Sequence, residues 1–585
     1  MTPWQLGPDR LTQRLQSVVL ARRWHWLILL LWMVPLLLVD FFDLDHQSLM
    51  AHDEGLYARR ARVIVDTGDW IHPWETPQHK TPGPYWLVAL FIQLLGRHEV
   101  AVRLPSVLAS IGCIWLTYAI GRRLLTPTAA LLGAMSLGVA PLWLQYSRLA
   151  TPDVVFTGLI LLAVWLLLGA DAQPSSRSLS RLPAYYRWLW FGAGATLGLT
   201  VLFRSALAAV PLACLLPYLL LSGRHHLKQW SFYLGGLVGL LPTAIWLWLC
   251  WRRYDMAVIN ALINFPVSQG LTTDRAKSPL FYLFNLGVND FPWVFFALAA
   301  VVLLLVPLVR RSTVKVSSEA GSKVSYLGRP QVSLLLFYPV FYLGLLSFAS
   351  TKLPHYAIPT YPFLALLAGY AMDRLVHPEV SFGAEAGPRS GLPVTLKRLL
   401  GLVNGLLLVL GLVLLVAAGL AMATQVLPST SDIRPYVPIA IALGLAWLVA
   451  GLLWFKGWFK GQPQQGRLMV WLICLLLGHW LSLVVAWGTA ELGNINPEMK
   501  ALLIRQDIQP ILQTEVVDFS PGLNSKRSTL LRFYTPNPGQ KLSNLESVAP
   551  QDYLWIEAGE LSSLPKSHQV LGQIQQTHLV KILPE

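Results

Sequence analysis

Long apolar runs constrain this chain more than any other feature of its sequence. Runs of about 20 residues recur from residue 24 to residue 489 and are separated by short polar connections. A helix of that length crosses the hydrocarbon core of a bilayer and satisfies its own backbone hydrogen bonds there. The pattern therefore predicts an all-α polytopic membrane protein with about 13 transmembrane helices. The predicted spans are 24–41, 103–121, 127–147, 153–170, 187–203, 205–222, 229–251, 291–309, 333–350, 356–374, 398–424, 435–455 and 467–489.

One further apolar segment, 83–96, is too short to cross a bilayer. Tyr85 and Trp86 stand at its start, and aromatic residues of this kind favour the boundary between lipid and water. We expect this segment to form a helix that lies at the membrane interface.

The charge distribution predicts the orientation of the chain. Its net charge of +15 is spread in small clusters between the apolar runs, which favours anionic lipid over nucleic acid as the partner. The connections assigned to the cytoplasm are all basic, so the N-terminus is expected inside and the C-terminus outside. The four cysteines lie within apolar segments and indicate no disulfide framework. We expect a retained first helix in place of a cleaved signal peptide.

The polar residues that carry chemistry fall on the external side of this topology. The loop 51–86 contains Asp53, Glu54 and Lys80 in a chain with only 13% charged residues. The same side receives the turn 148–153, the junction at Arg204 and the segment 350–356. Ionisable residues beside membrane spans usually serve function, although a solvated loop with incidental charges is the alternative. We therefore predict an active site that faces away from the cytoplasm.

The hydropathy falls after residue 490. We divide the chain into a membrane domain, 1–490, with an external catalytic loop at 42–102, and a soluble domain, 491–585. An amphipathic helix is predicted near 498–514, and strands are predicted at 529–534, 553–557 and 579–583. This tail is expected to be a small α/β domain outside the membrane.

Several motifs resemble one enzyme family. They are Asp53-Glu54-Gly55-x-Tyr57-Ala58, Gly68-Asp69-Trp70-Ile71-x-Pro73, Lys80-x-Pro82, Tyr85-Trp86-Leu87, Glu99-x-Ala101-x-Arg103-Leu104-Pro105-Ser106, Arg148-x-Ala150-x-x-Asp153 and Lys352-Leu353-Pro354-x-Tyr356-x-x-Pro359. In this order they look like the polyprenyl-phosphate-sugar-dependent GT-C glycosyltransferases, which include the lipid A aminoarabinose transferases and the protein O-mannosyltransferases. The resemblance covers residues 20–375 well and the remainder only by architecture. It implies a GT-C fold and sugar transfer from a polyprenyl-phosphate donor.

Such a transfer needs a carboxylate to accept the proton of the acceptor hydroxyl. The resemblance gives this role to Asp53, and the alternative is that Asp53 only caps the helix predicted through 56–65. Glu54 is a catalytic candidate that is better suited to orienting the loop.

Positive charge must also meet the phosphate as the glycosidic bond breaks. Lys80, Arg204 and Lys352 are the main candidates, and Arg103 and Arg148 are weaker ones. Arg204 and Lys352 lie near the ends of spans, where snorkelling to the interface is the alternative. The remaining candidates for substrate contact are Tyr57, His355 and Tyr356.

Asp153 follows Thr151-Pro152 and can act as a helix cap, a partner of Lys80 or a metal ligand. His79 is the second candidate ligand for a divalent ion, but two ligands are few. The aminoarabinose transferases have Glu where this chain has His79, and their later external histidine has no counterpart between Trp251 and Trp293. Arg204-Ser205 stands where many relatives have Lys-Gly-Pro. The loop 252–290 resembles the family's mobile loop.

The predicted function is therefore an inverting membrane glycosyltransferase that acts on an external acceptor: lipid A, a glycan, another lipid or a protein. A transporter or flippase of lipid-linked sugars is the alternative, but it would more often show ionisable residues at mid-membrane and repeated halves. A scaffold or receptor would leave the one-sided polar cluster without a cause. We expect a monomer in a bacterial inner membrane, with membrane lipids and a lipid-linked sugar as partners.

Overall fold

The structure is a computed structural model, and its described residues form a helical membrane part with a small mixed sheet near the C-terminus. It describes residues 24–42, 47–51, 53–74, 80–171, 184–271, 277–309, 329–377, 394–423, 433–434, 436–456, 464–489, 497–564 and 567–584.

Every predicted span coincides with a helix or with a bent pair of helices. These helices are α1 (His25–Phe42), α4 (Glu99–Leu124), α5 (Pro127–Gly138), α6 (Pro141–Ser147), α7 (Pro152–Ala170), α8 (Ala184–Arg204), α9 (Ala209–Leu221), α10 (Trp230–Tyr254), α13 (Trp293–Val309), α14 (Pro330–Phe348), α15 (Tyr361–Val376), α16 (Val394–Ala423), α17 (Val437–Lys456) and α18 (Gln464–Thr489). Within the described ranges, 8 helical segments are long and apolar enough to cross a membrane, or 9 if the pair α5 and α6, bent by 65°, counts as one span. The predicted number of crossings stays a prediction.

One of these segments, Ala184–Leu221, turns back on itself. Helix α8 ends at Arg204, and Ser205 has a φ of 50°, which is unusual for a residue with a side chain. Trp190, near the start of α8, donates a hydrogen bond of 2.9 Å to Nδ1 of His226, which follows α9. The two arms therefore run in opposite directions, as the sequence predicted, and Arg204 lies at their turn.

Glycines allow α8 and α10 to pack with their backbones in contact. A Cβ atom on Gly194 would lie 1.9 Å from the carbonyl oxygen of Phe232, and one on Gly235 would lie 1.9 Å from that of Phe191. Small residues at such positions are common where membrane helices approach closely. This packing fixes the position of α8 and therefore of Arg204 at its end.

The segments that were predicted to be external are more helical than the sequence indicated. Helices α2 (Asp53–Thr67) and α3 (Gly83–Leu95) follow the first span, and α3 is the predicted short helix. The segment 252–290 was predicted as a loop, but it contains α11 (Ala257–Leu271) and α12 (Phe281–Asn289). Both helices are apolar, and their short length kept them from being recognised as helices.

The C-terminal part contains α19 (Pro497–Leu503), α20 (Gln509–Thr514) and α21 (Ser525–Tyr534) beside a five-stranded sheet. Its strands are β1 (Val517–Phe519), β2 (Pro538–Lys541), β3 (Tyr553–Glu557), β4 (His568–Ile574) and β5 (Thr577–Ile582). They are ordered β2-β1-β3-β5-β4, with β1 parallel to β2 and β3 and the other pairs antiparallel.

Two of the three predicted strands are confirmed, as β3 and β5, and the small α/β architecture with them. The predicted strand at 529–534 is wrong, because the segment belongs to α21. The side chain of Asn524 accepts a hydrogen bond from the amide of Lys526 and caps that helix. The single helix predicted at 498–514 is two short helices, α19 and α20.

The C-terminal segment shares a hydrophobic cluster with the external helices. Tyr57 and Ala61 of α2 belong to the same buried cluster as Leu530 of α21, Phe519 of β1 and Trp555 of β3. The boundary at residue 490 stays a prediction, but the buried surfaces of the two sides are continuous.

Candidate active site

Glu54 and Arg103 form a buried ion pair that joins three segments of the chain. Glu54 Oε1 lies 2.7 Å from Arg103 Nε, and its Oε2 lies 2.9 Å from Arg103 Nη2. The same carboxylate accepts hydrogen bonds from the amides of Met50, at 2.8 Å, and Ala150, at 3.2 Å. Glu54 has no exposed surface. The geometry therefore favours the orienting role of Glu54 over direct contact with a substrate. Arg103 is the counterion of Glu54, which accounts for a buried arginine at this position.

Asp53, the adjacent residue, is placed differently. It is the first residue of α2, and 28% of its side chain is exposed. Lys80 Nζ lies 3.8 Å from its Oδ1 atom, and 29% of the Lys80 side chain is exposed. The same ammonium group lies 4.9 Å from the ring centroid of Tyr57. Asp53 and Lys80 thus form an accessible pair of opposite charges at the start of α2.

Tyr57 connects this pair electrostatically to a second group of charges. Burial raises the pKa of Tyr57 well above its usual value, Arg204 opposes this shift, and Asp53 adds to it. The phenol is therefore neutral near pH 7 and is suited to donating a hydrogen bond. Its ring centroid lies 5.2 Å from that of Tyr85, whose hydroxyl accepts a hydrogen bond from Arg60.

Arg204 forms an ion pair with Asp153 at the edge of a cavity. Only 4% of the Asp153 side chain and 15% of the Arg204 side chain are exposed. Asp153 stands in the first turn of α7, after Pro152, and Arg204 is carried by the turn between α8 and α9. The partner of Asp153 is therefore Arg204, whereas the sequence also suggested Lys80. The cavity is lined by Asp153, Phe156, Arg204, Leu207, Val210, Tyr342, Leu346, Tyr356 and Pro359.

Tyr356 is the candidate substrate contact that the structure brings to this cavity. Its neighbour His355 is buried, and its Nδ1 atom lies 2.9 Å from the hydroxyl of Tyr146. The Tyr146 and His355 rings are stacked, with centroids 5.0 Å apart. The sequence analysis did not select Tyr146, although it lies two residues before Arg148 in the turn that was selected.

Two of the predicted cations do not line the cavity. Lys352 is buried, and its Nζ atom donates hydrogen bonds to the carbonyl oxygens of Lys277, at 2.9 Å, and Ala349, at 2.5 Å. It joins the end of α14 to the segment before α12. Arg148 is also buried and follows α6. Of the predicted phosphate-binding cations, Lys80 lies beside Asp53 and Arg204 lies at the cavity.

The predicted metal pair, His79 and Asp153, is not tested by the described residues and stays a prediction. His79 lies outside the described residues, and Asp153 is paired with Arg204. The described ranges do contain one group of three possible ligands, Asp171, His225 and His226, beyond the opposite end of α7. There Trp190 donates to Nδ1 of His226, so the neutral ring carries its proton on Nε2, the atom that would have to bind the metal. That group is therefore better suited to hydrogen bonding than to holding a metal ion.

Two features of the geometry define what this site can do. An accessible carboxylate with a neighbouring ammonium group can accept a proton from a hydroxyl, and a guanidinium at an adjacent cavity can bind a phosphate. Both features belong to a fold whose described residues include 8 helical segments long and apolar enough to cross a membrane. This arrangement is suited to proton transfer from a hydroxyl beside a bound phosphate.

Sequence comparisons agree with this chemistry. A family model described as dolichyl-phosphate-mannose-protein mannosyltransferase matches residues 79–248. An uncharacterized protein of Aquifex aeolicus is 24% identical over 343 residues, which make up 58% of this chain and 62% of that protein. The undecaprenyl phosphate-alpha-4-amino-4-deoxy-L-arabinose arabinosyl transferase 2 of Pseudomonas fluorescens is 25% identical over 511 residues, or 83% of this chain and 76% of the relative.

The fold comparison is broader. The crystal structure of ArnT from Cupriavidus metallidurans bound to undecaprenyl phosphate superposes with a TM-score of 0.68 at 19% identity, covering 95% of this chain and 98% of ArnT. The chain therefore has the GT-C fold of ArnT and is similar in sequence to polyprenyl-phosphate-sugar-dependent glycosyltransferases. The predicted resemblance, fold class and enzyme class are confirmed.

Proposed function

We propose that this protein is an inverting glycosyltransferase that moves a sugar from a polyprenyl-phosphate donor to an acceptor hydroxyl on the external face of the membrane. The observation that carries the proposal is the placement of Asp53. Its carboxylate is accessible and lies 3.8 Å from Lys80, and Arg204 borders the cavity nearby. The relatives named for transfer of aminoarabinose from undecaprenyl phosphate support a lipid-linked donor over transport by a flippase.

The residues divide the chemistry between them. The acceptor oxygen attacks the anomeric carbon while Asp53 takes its proton, and the bond from that carbon to the phosphate oxygen breaks. The electron pair of that bond stays on the lipid phosphate, and Lys80 and Arg204 stabilise the developing charge. Asp153 orients Arg204. Tyr57 and Tyr356 are the proposed hydroxyl contacts to the donor or the acceptor.

Substitution of Asp53 by asparagine tests the base directly. The amide keeps the size of the side chain but cannot accept a proton, so we expect transfer to fall at least about 100-fold. Purified protein in lipid nanodiscs would be given a panel of radiolabelled polyprenyl-phosphate sugars, and product formation and donor binding would be measured. Asp507→Asn is the matched control, because Asp507 is an exposed aspartate of the C-terminal part.

The outcomes separate the assignments. Transfer by wild type and by Asp507→Asn, but not by Asp53→Asn, would support the base and identify the sugar. Equal rates in all three proteins would refute the assignment of Asp53. Failure of wild-type protein to bind any polyprenyl-phosphate sugar would refute the donor class and make transport the next function to test.

A divalent metal is not needed by the proposed chemistry. Asp153 already has a cationic partner, and a single further histidine at position 79 would leave a metal with few protein ligands. The two cations Lys80 and Arg204 supply the positive charge that a metal would otherwise bring to the phosphate. We expect incubation with EDTA followed by its removal to leave the transfer rate unchanged, and a rate restored only by added metal would contradict this.

The chain is a multi-pass membrane protein, and we propose that it resides in a bacterial inner membrane. The N-terminus would be cytoplasmic, and the candidate site and the C-terminal domain would be periplasmic, because the basic connections fall on the opposite side from Asp53. The acceptor would be lipid A, a glycan, another lipid or a protein that presents a hydroxyl on that side. We propose that it acts as a monomer.

A further inference from the structure

The C-terminal part is packed directly against the helix that begins with Asp53. A Cβ atom on Gly55 would lie 3.2 Å from Cδ1 of Leu530 in α21, so the first turn of α2 packs closely against that helix. Leu530, Leu531 and Tyr57 belong to one hydrophobic cluster. Two polar contacts join the same surfaces.

Arg62 of α2 binds the end of α21. Only 2% of it is exposed, and its guanidinium donates to the carbonyl oxygens of Arg532, at 2.7 Å, Phe533, at 2.9 Å, Thr535, at 2.6 Å, and Pro536, at 2.5 Å. The last carbonyls of a helix have no partners within it, and they carry partial negative charge. Arg62 therefore satisfies the C-terminal end of α21 and fixes that helix against α2.

Tyr534, the last residue of α21, binds the segment that leads into the candidate site. Its hydroxyl accepts a hydrogen bond of 2.7 Å from the amide of Leu49 and donates one of 2.9 Å to Glu99 Oε1. The next amide along the chain, that of Met50, donates to Glu54. One hydroxyl of the C-terminal part thus holds the backbone four residues before Asp53.

We propose that the C-terminal domain positions the catalytic base, and that Tyr534 and Arg62 are the positioning residues through which it acts. Tyr534 fixes the segment 49–50 from one side while Arg103 fixes Glu54 from the other. Asp53 lies between the two anchors, so its carboxylate is held at a set distance from Lys80 and Arg204. This inference rests on the proposed function of Asp53 as the base.

The test is Tyr534→Phe in the full-length protein in nanodiscs. The change removes one hydroxyl and keeps the ring within the cluster. Tyr553→Phe is the matched control, because Tyr553 lies in β3, packs against the same hydrophobic cluster as Tyr534 and contacts Lys581 through its ring. Hydrogen exchange of the amides in 47–60 is measured without substrate, and kcat and the donor KM are measured separately.

We expect Tyr534→Phe to speed exchange in 47–60 and to lower kcat about 10- to 100-fold, since small misplacements of a reacting group cost rates of this size. The donor KM should change less than about 2-fold, because Tyr534 does not line the donor cavity. Tyr553→Phe should match wild type in all three quantities. Arg62→Lys, which keeps the charge but loses the fork of donors, should change exchange and kcat in the same direction.

Unchanged exchange in 47–60 for both Tyr534→Phe and Arg62→Lys would overturn the inference. A fall in kcat without faster exchange in 47–60 would also overturn the inference, because the loss of activity would then have a cause other than displacement of this segment. The exchange measurement uses no donor, so it stays informative if the proposed function fails. That separate failure would show itself as wild-type protein that transfers no sugar.

Discussion

Asp53 and Glu54 are adjacent carboxylates in opposite environments. Asp53 is partly exposed beside Lys80, whereas Glu54 is fully buried between Arg103 and two backbone amides. Pairs of titratable groups with contrasting surroundings commonly divide a catalytic and a supporting role between them. This contrast agrees with the proposed roles of Asp53 in proton transfer and of Glu54 in positioning.

The buried pair makes a prediction about stability. Glu54→Gln keeps the shape of the side chain but leaves the charge of Arg103, which is 4% exposed, without its counterion. Removing one partner of a buried pair typically costs about 3–5 kcal/mol. We expect a clear loss of thermal stability in detergent, measured by unfolding with a fluorescent probe. Glu498→Gln, at an exposed glutamate, is the control, and equal melting temperatures for the two variants would show that the pair contributes little.

The sequence could predict most of the candidate residues but not their pairing. The charges of Asp53, Lys80 and Arg204 are visible in apolar surroundings, and the topology places them on one side of the membrane. The pairing of Asp153 with Arg204 depends on the turn between α8 and α9, which brings together residues far apart in the chain. Tyr146 was missed because a tyrosine at the end of a span is usually an interfacial anchor.

At the level of elements, the contact between α8 and α10 depends on glycine. Alanine normally stabilises a helix by about 0.5–1 kcal/mol relative to glycine. Gly235→Ala should do the opposite, because its Cβ atom would meet the carbonyl oxygen of Phe191 at 1.9 Å. We expect a lower melting temperature and reduced transfer, since α8 carries Arg204. Gly287→Ala in α12, where a Cβ atom meets nothing within 4 Å, is the control and should be neutral or stabilising.

His72 gives the external segment a dependence on pH. Neither ring nitrogen has a hydrogen-bond partner among the described residues. Burial lowers the pKa of His72, the nearby Arg253 and Arg60 lower it further, and Asp69 opposes them. The unfolded chain therefore binds a proton at His72 more readily than the folded chain does. The folded state keeps its full stability above about pH 6.5, where the ring is neutral in both states, and loses stability as the pH falls below that value.

Replacing His72 by a residue that does not titrate tests whether stability falls with decreasing pH for this reason. His72→Phe should flatten the loss of thermal stability between about pH 6.5 and pH 5. The measurement is the melting temperature across that range at constant ionic strength. A His72→Phe profile parallel to that of wild type would mean that His72 does not titrate on unfolding.

Local pattern predicted the long helices well and the short elements poorly. A run of about 20 apolar residues has few alternatives in a membrane, so every predicted span coincides with a helix or a bent pair of helices. The segment 529–534 reads as a strand by composition, but its cap at Asn524 and its packing against α2 make it the end of α21. Tertiary contacts of this kind decide between helix and strand in short segments and are not visible in the local sequence.

For the whole molecule, the hydrophobic cluster shared by α2, α3 and the C-terminal sheet limits how the chain can be arranged across the membrane. Leu530 and Trp555 share a buried cluster with Tyr57 and Tyr85, so the sheet must lie on the same side of the membrane as α2. The positive-inside pattern predicts that both of them lie outside the cytoplasm. Apolar burial therefore predicts that α2 and the sheet share one side of the membrane, and charge asymmetry predicts that this side is external.

Cysteine labelling in intact cells tests that orientation. Gly559→Cys introduces a thiol in open space in the C-terminal part, and Arg224→Cys introduces one at an exposed position between α9 and α10. A membrane-impermeant maleimide should label the first in intact cells and the second only after permeabilisation. Wild-type protein is the control, because its cysteines at 113, 214 and 250 are buried and Cys474 is partly buried. Labelling of Arg224→Cys alone in intact cells would contradict the predicted orientation. Asp53 would then lie on the cytoplasmic side, where the proposed external acceptor could not reach it.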